Sequence, residues 1–351
     1  MRNELQGLLE EQRRERGRPH HAGLAHERYA PMKEDLDAWE GWLSWVERSR
    51  EPEGYAVAFH RWKESLRHAT TASFTARAEG RLLVGHGNAS PTGVGLTLHH
   101  TWGVPVIPGS SLKGVLASYL RAVFDAPAVE EACRRLFGVP GEEETQQEAS
   151  AGEVLFHDAL WVSRAGADEP MLARDVLTVH QKGWYGGKVE EWPNDYDSPN
   201  PVAFLTVRPG GRFLVALSLT PGADAEGEKL LRWAAERLGE ALRDWGVGGK
   251  TAAGYGRLER EGALEVLPPR TVVKRSPLLD ECLAWLALQR EGKVEQRRVL
   301  DVFEAEWLAR LRGLSLSERE ECRRELRSLV RNPKLTVRRD ALLESLCQGV
   351  S

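Results

Sequence analysis

EGEKLLRWAAERLGEALRDWGVGGKTAAGYGRLEREGALEV, residues 226–266, decides the fold. Glu226–Trp245 reads as a strong helix, GVGGKTAAGYG at 246–256 as a glycine-rich loop, and Arg257–Val266 as a strand. Just upstream, Ala203–Val207 and Arg212–Leu219 read as two strands, expected to pair through a turn at Pro209-Gly210-Gly211. A strand, a helix and a strand in that order form one β-α-β unit.

A second such unit lies earlier. Ala72, Phe74, Ala76 and Ala78 alternate with polar residues, and Arg81–Gly85 is expected to continue that strand. A Gly/Pro-rich loop follows, then a helix to about Phe124, with Ser110 or Ser111 as its cap. Residues 141–151 read as an exposed loop and Glu153–Trp161 as a strand. Residues 171–202 have no clean period and read as a long inserted arm. The order over 71–269 predicts an α+β domain of ferredoxin-like, RRM type.

The flanks differ in character. Residues 1–31 show no sustained period and read as partly ordered. Residues 32–70 form a helical element, with helices at 34–49 and 55–68 and a packed seam of Trp39, Trp42 and Trp45. From residue 270 the pattern is helical to the end, with helices at 277–290, 294–312, 318–331 and 336–347. Ser276 starts the first of these, and Ser317 with Glu320 fits a capping box for the third. Arg319, Arg323, Arg327 and Arg331 recur every fourth residue there, a ridge read as a solvated face in preference to an RNA track.

Composition bounds the function. The chain has 351 residues, 41% hydrophobic and 28% charged, the balance of a globular protein. No apolar run is long enough to cross a bilayer, and the mixed Arg/Glu N-terminus is unlike a secretory signal, so a cytoplasmic location is expected. A net charge of −4 excludes a uniformly basic coat but leaves room for a local basic groove. The basic residues are 38 Arg and 10 Lys. Cys133, Cys282, Cys322 and Cys347 form no C-x-x-C pair, so they read as free thiols and not a zinc ribbon.

Five features bear on chemistry. Gly249-Lys250-Thr251 ends like a Walker A loop, but Asp244 stands where that motif needs glycine, and the loop runs from helix to strand instead of the reverse. The loop's glycines, Gly248 and Gly249 among them, with Lys250, Thr251 and Arg257, form either an anion-binding concavity suited to an RNA phosphate or a tight structural turn. Ser110, Ser111 and Lys113 surround a helix start, which offers free N–H groups to a phosphate. His99 and His100 precede that start and read as structural or RNA-contacting before general acid–base groups. Lys182, Trp184, Tyr185 and Lys188 interleave charge with aromatic rings, in a pattern that suits base stacking and protein packing equally. No cofactor is expected.

Read together, GLTLHHTWGVPVIPGSSLKGVLASYLR at 95–121 and GVGGKTAAGYGRLE at 246–259 resemble the RAMP superfamily of CRISPR-associated RNA-binding proteins. AGLAHERYAP at 22–31, GHGN at 85–88 and SPNPVAFLTVRPG at 198–210 narrow the resemblance to the sixth-subunit family of type III-B Cmr effector complexes. The stretch DVLTVHQKGWY at 175–185 departs from that family's usual form, and residues after 270 carry no match. The resemblance implies a non-catalytic subunit that binds the 3′-proximal part of a CRISPR guide RNA and helps recognise target RNA. It implies the first and fourth Cmr subunits as neighbours, with the small fifth as a further one. It places RNase activity in another subunit. The rival readings are a metal-independent endoribonuclease using a histidine, and a protein scaffold.

Overall fold

The computed structural model describes residues 17–31, 35–90, 92–139, 149–164, 169–179, 181–187, 199–269, 276–292 and 294–347, with single positions 7, 141, 190, 192 and 196. The chain divides into two compact units, Met1–Arg270 and Thr271–Ser351.

The first unit is mixed α+β. It opens with helices α1 (Ala22–Arg28), α2 (Leu36–Glu47) and α3 (Tyr55–Ser65). Strand β1 (Thr71–Ala78), the short β2 (Val106–Ile107), α4 (Gly109–Val123) and α5 (Ala126–Phe137) follow. Next come four short strands, β3 (Gly138–Val139), β4 (Ser150–Ala151), β5 (Val154–Phe156) and β6 (Ala159–Trp161). Then β7 (Leu172–Val179), the one-turn α6 (Lys182–Tyr185), β8 (Asn200–Val207), β9 (Arg212–Leu219), α7 (Ala225–Asp244) and β10 (Leu258–Leu267) complete it.

The main sheet has the order β10-β1-β9-β6-β2, with β5 also on β9. Every neighbouring pair is antiparallel. Thus β9 and β10 run parallel on either side of β1, joined across it by α7. In the same way β1 and β6 flank β9, joined by the segment that contains α4. Alternation splits β9 between two faces. Phe213, Val215 and Leu217 join Ala72, Phe74 and Ala76 of β1, Leu112, Leu116 and Leu120 of α4, and Leu231, Ala234 and Leu238 of α7 in one core. Leu214 and Ala216 point the other way, against Leu66 and the α3 residues Phe59 and Trp62. Each fully buried leucine in the larger core contributes about 1.5–3 kcal/mol.

Several local expectations are corrected. Residues 203–207 do not pair with 212–219. The segment 171–202 supplies β7 and the start of β8, which pair with each other from Leu172↔Val207 to Val179↔Asn200. Ala78 receives the chain at the handover, because the Gly210 N–H donates to its carbonyl (2.7 Å) and its own N–H to the Gly211 carbonyl (2.8 Å). Residues 81–85 make only a single bridge, Leu82↔Val207. The strand expected over 153–161 breaks into β5 and β6, both on β9. Helix α4 begins at Gly109 with Pro108 as its cap, so Ser110 and Ser111 lie inside the first turn. Most of the exposed loop expected at 141–151, and nearly all of residues 1–16, lie outside the described residues.

The glycine-rich loop closes the unit by backbone-to-backbone docking. The Val247 N–H donates to the Gly256 carbonyl (2.9 Å), Gly249 to Leu83 (2.7 Å), and Gly256 to Arg81 (2.8 Å). A Cβ on Gly256 would stand 2.0 Å from the Val247 oxygen, and one on Gly248 2.5 Å from the Leu83 oxygen, at φ of +74° and +90°. Only glycine fits either position. Gly254 is left-handed too, yet a Cβ there meets nothing within 4 Å.

The N-terminal tryptophans form the expected seam. Trp42 donates its indole N–H to the Ala25 carbonyl (2.8 Å), Trp39 lies 4.9 Å from it ring to ring, and Trp42 and Trp45 are buried. His26 stacks on Trp42 at 5.9 Å and is 3% exposed. Burial lowers its pKa to about 4.

The second unit has its own core, formed by α8 (Pro277–Glu291), α9 (Gln296–Val302), a π turn at Phe303–Trp307, α10 (Leu308–Leu311), α11 (Leu316–Leu329) and α12 (Thr336–Cys347). The capping box is made by Ser315 and Glu318, two residues before the expected pair. Glu318 also accepts from the Ser276 N–H (2.7 Å), so one carboxylate ties two helix starts. Cys282 and Cys322 are buried free thiols with sulfurs 3.8 Å apart. Arg319 is 8% exposed and donates to the Leu346 carbonyl (3.1 Å), so it leaves the expected basic ridge. No helix among the described residues is long and apolar enough to cross a membrane.

Two predictions follow from this packing. Gly256→Ala lowers the melting temperature of the first unit by well over the effect of Gly254→Ala, since it adds a clash to the roughly 1–2 kcal/mol of left-handed strain both share. Equal shifts in differential scanning calorimetry contradict the docking. His26 binds a proton in the unfolded chain at higher pH than in the folded one. Its stabilising contribution is complete above pH 6.5 and falls away between 6.5 and about 4, by about 3 kcal/mol. In urea titrations, His26→Gln flattens the loss of stability over that window; an unchanged slope refutes the assignment.

Candidate nucleic-acid interface

The docked loop positions one lysine by unusual backbone. Lys250 has φ +60°, the one non-glycine positive φ among the described residues. It starts the 3₁₀ turn Thr251–Ala253, which Gly254 ends in the same left-handed region. Lys250 and Thr251 are half-buried and Gly248 is exposed.

The next residues tie this loop to the β7–β8 hairpin. The Tyr255 hydroxyl donates to Asp175 Oδ2, and Arg81 Nε lies 3.2 Å from the same oxygen. Burial pushes the Asp175 carboxyl up, but the Tyr255 hydroxyl, the Val176 N–H, Arg81 and Lys250 outweigh it and hold its pKa below the usual value. For Tyr255, burial and the bond to Asp175 both raise the pKa. Arg81 also donates to the Arg174 carbonyl (3.2 Å).

Strand alternation sends Arg174 the opposite way. It bonds Glu40 and Ser44 (2.7 Å for the latter) and lies 3.6 Å from Glu47, all on α2. Its own N–H donates to Glu47 (3.0 Å). Consecutive residues of β7 therefore clamp the hairpin base between α2 and the glycine-rich loop. Away from this base the hairpin becomes exposed, through Val176 and Val202. Trp184 and Trp192 lie 5.5 Å apart at 32°, and Tyr185, Trp192 and Tyr196 are 77%, 72% and 96% exposed. The side chain of Lys182 and all of Lys188 lie outside the described residues.

Arg257 stays at the loop's exit. Its guanidinium donates weakly to the Arg243 carbonyl (3.4 Å), and its own carbonyl accepts from the Glu79 N–H (3.0 Å). The loop thus brings Arg81 and Lys250 to one carboxylate, Asp175, at the hairpin base, while Arg257 stands at the loop's exit beside Arg243 and Asp244.

The helix start at Gly109 is different. The Gly109 N–H donates to Asp158 Oδ1 at 2.7 Å, while the Ser111 and Leu112 N–H groups both reach the Pro108 carbonyl. An internal carboxylate already sits at the positive end of α4. Lys113 donates to the Phe137 carbonyl (3.1 Å), and its nitrogen lies 5.9 Å from the Phe137 ring centre, so it satisfies the end of α5. Ser110 is exposed. A Cβ on Gly109 would stand 2.1 Å from the Phe156 oxygen, which explains glycine there.

The histidines are held by backbone. His99 Nδ1 accepts from the Thr101 and Trp102 N–H groups (3.2 and 3.3 Å), and burial lowers its pKa. That ring is neutral, with its proton on Nε2. His100 is exposed, and its carbonyl accepts from His21 Nε2, whose Nδ1 accepts from the Leu24 N–H and starts α1. The 99–103 turn is therefore docked on the N-terminal helix.

Residue typing missed Arg81, Arg174, Asp175 and Tyr255. The available signal was Tyr255 within the glycine loop and the adjacent Arg-Asp pair in 171–202. Asp158 gave none, since its partner is 49 residues away.

Comparison with known proteins agrees with this architecture. The RAMP superfamily model matches residues 75–259. The CRISPR system Cmr subunit Cmr6 of Pyrococcus furiosus is 32% identical over 238 residues, covering 54% of this chain and 68% of that protein. A chain in the cryo-EM structure of the type III-B Cmr-beta complex bound to cognate target RNA superposes with a TM-score of 0.52 at 21% identity, over 68% of this chain and 76% of that one. The crystal structure of Pyrococcus furiosus Cmr6 matches at 26% identity with a TM-score of 0.31, over 54% of this chain and 98% of that one. The matched region contains both the glycine-rich loop and the whole β7–β8 hairpin, and the chain belongs to the RAMP superfamily, as a relative of Cmr6.

Proposed function

We propose that this chain is a non-catalytic RNA-binding subunit of a type III-B CRISPR effector assembly, built on a ferredoxin-like RAMP domain whose β7–β8 hairpin is its inserted arm. Its ligands are the 3′-proximal part of the guide RNA and the target RNA paired to it. Its neighbours are other Cmr subunits, the first and fourth foremost and the small fifth as a further one, in an antiviral particle of the cytoplasm.

The observation that carries the reading is the junction of loop and arm. Arg81 and Lys250 meet at the root of a hairpin that carries the half-buried Trp184 and the exposed Tyr185 and Trp192, and Arg257 stands at the exit of the same loop. Cations track a phosphate backbone while rings stack on bases, a sequence-tolerant combination. The relationship to Cmr6 supports the assembly. The helix start at Ser110, Ser111 and Lys113 has internal partners, so guide contacts are assigned to the loop and arm instead. The His99 imidazole, with Nδ1 committed to two backbone donors, is poorly set for acid–base work. That favours binding over the endoribonuclease reading.

Binding of single-stranded RNA, followed by fluorescence anisotropy against salt, tests this. Lys250→Asn removes the charge while suiting the left-handed backbone, and flattens the log K versus log salt slope by about 0.7. Trp184→Ala costs roughly 1–3 kcal/mol of affinity with little change in slope. Lys113→Ala lowers thermal stability and leaves the slope alone. A slope that responds to Lys113 and ignores Lys250 overturns the assignment.

A further inference from the structure

The helical unit lies outside the region matched by the family model. Of its thirteen described cations, five are paired with acids inside the unit. Arg290 bonds Glu325 (2.8 Å), Arg310 bonds Glu281 (2.9 Å), Arg323 bonds Glu320 (2.7 Å), and Arg339 bonds Asp340 (2.8 Å). Arg338 spans Asp301 (2.6 Å) and Glu304 (2.7 Å). Arg312 and Arg319 reach neutral oxygens, the Ser345 hydroxyl and the Leu346 carbonyl. Among the described residues this leaves Arg297, Arg298, Arg324, Arg327, Arg331 and Lys334, all exposed and none within ion-pair distance of an acid.

One side chain joins the two helices that carry most of these residues. Gln296 Oε1 accepts from the Arg331 and Asn332 N–H groups, both at 2.9 Å, which pins the start of α9 to the end of α11. Asn332 Oδ1 in turn accepts from the Lys334 N–H (3.0 Å). Arg324 and Arg327 share a face of α11. Arg331 folds back onto the last turn of α11 through the Ser328 carbonyl (2.8 Å). Nearby, Glu325 is taken by Arg290, and Glu291 and Glu295 flank the α9 start.

Helix polarity accounts for only part of this grouping. Arg327, Arg331 and Lys334 complement the negative end of α11, but Arg297 and Arg298 stand in the first turn of α9, where the dipole opposes a cation. No contact among the described residues explains those two. The exposed large apolar residues of the unit are Leu288, Leu316 and Val337. None of the three belongs to α9, and Leu316 alone of them belongs to α11, so the helices that carry these cations expose few large apolar side chains. Exposed, unpaired arginines with little large apolar surface beside them suit phosphates, which guanidinium groups grip in bidentate fashion.

We propose that this face, Arg297, Arg298, Arg324, Arg327, Arg331 and Lys334, is a second RNA-binding site that grips the phosphate backbone of a single strand. The choice of RNA rests on the function proposed above, whereas the phosphate recognition does not. The full-length chain is titrated onto a fluorescein-labelled oligouridylate at several KCl concentrations. Arg297→Gln with Arg298→Gln flattens the log K versus log salt slope by roughly 1.4, and Arg324→Gln with Arg327→Gln does the same, at about 0.7 per lost contact. The melting temperature of the first pair stays at or above that of the parent. Lys250→Asn, measured alongside, separates the two sites: flattening by the arginine pairs while Lys250→Asn is silent keeps this inference and removes the core site. An unchanged slope in both folded arginine pairs overturns the inference. So does an unchanged slope accompanied by loss of copurifying subunits, which makes the face a protein-docking surface.

Discussion

The first unit depends on one close approach. Residues 246–257 must lie backbone to backbone against 81–84: the absent Cβ of Gly248 admits the Leu83 carbonyl, and that of Gly256 lets the loop close on Val247. Once the Gly256 N–H is on the Arg81 carbonyl and the Gly249 N–H on that of Leu83, the rest of the site is geometrically determined. Lys250 is held half-buried in a left-handed conformation beside Asp175, Tyr255 is aimed at the same carboxylate, and Arg81 is placed between loop and hairpin. The loop resembles a phosphate cradle because both need glycine for the same reason, close passage of another backbone. Here the passing strand is the chain's own, and the anion-facing charge comes from Lys250 at the rim.

The hairpin shows how two adjacent residues orient an appendage. In a strand, neighbours face opposite sides. Arg174 bonds three side chains of α2, while Asp175 bonds the loop. A hairpin clamped on both faces at its base holds a defined direction while its aromatic tip remains exposed. That division suits a binding element, since ordering the base in advance lowers the entropic cost of docking the tip.

The sequence showed the fold class well because it rests on local periodicity. Phe213, Val215 and Leu217 alternate, the helix of 225–244 is strongly patterned, and the strand at 71–78 alternates with small residues that admit it. Pairing was less legible. Nothing local tells β8 to choose β7 over β9, since both are apolar and adjacent in the chain; the choice is made by Val207 reaching Leu172 and Leu82. Site chemistry was legible in residue type and not in partnership. Lys113 and Ser111 look like phosphate ligands until Phe137 and Pro108 are seen to occupy them. The capping box slipped by two residues because Ser315 and Ser317 are each followed by a glutamate three positions on, and only Ser315 has Ser276 beside it to share Glu318. The expected arginine row is split: Arg319 is buried and Arg323 half-buried, while Arg327 and Arg331 are exposed and are joined by Arg324 from outside the row.

On this reading RNA is bound at the loop–arm junction and not at the α4 helix start. Ultraviolet crosslinking of the RNA that copurifies with the full-length chain, with the crosslinked peptides located by mass spectrometry, tests it most directly. Crosslinks are expected in 182–192 and 246–257, with none in 108–121. Crosslinks concentrated in 108–121, with the loop and hairpin tip free of them, contradict it.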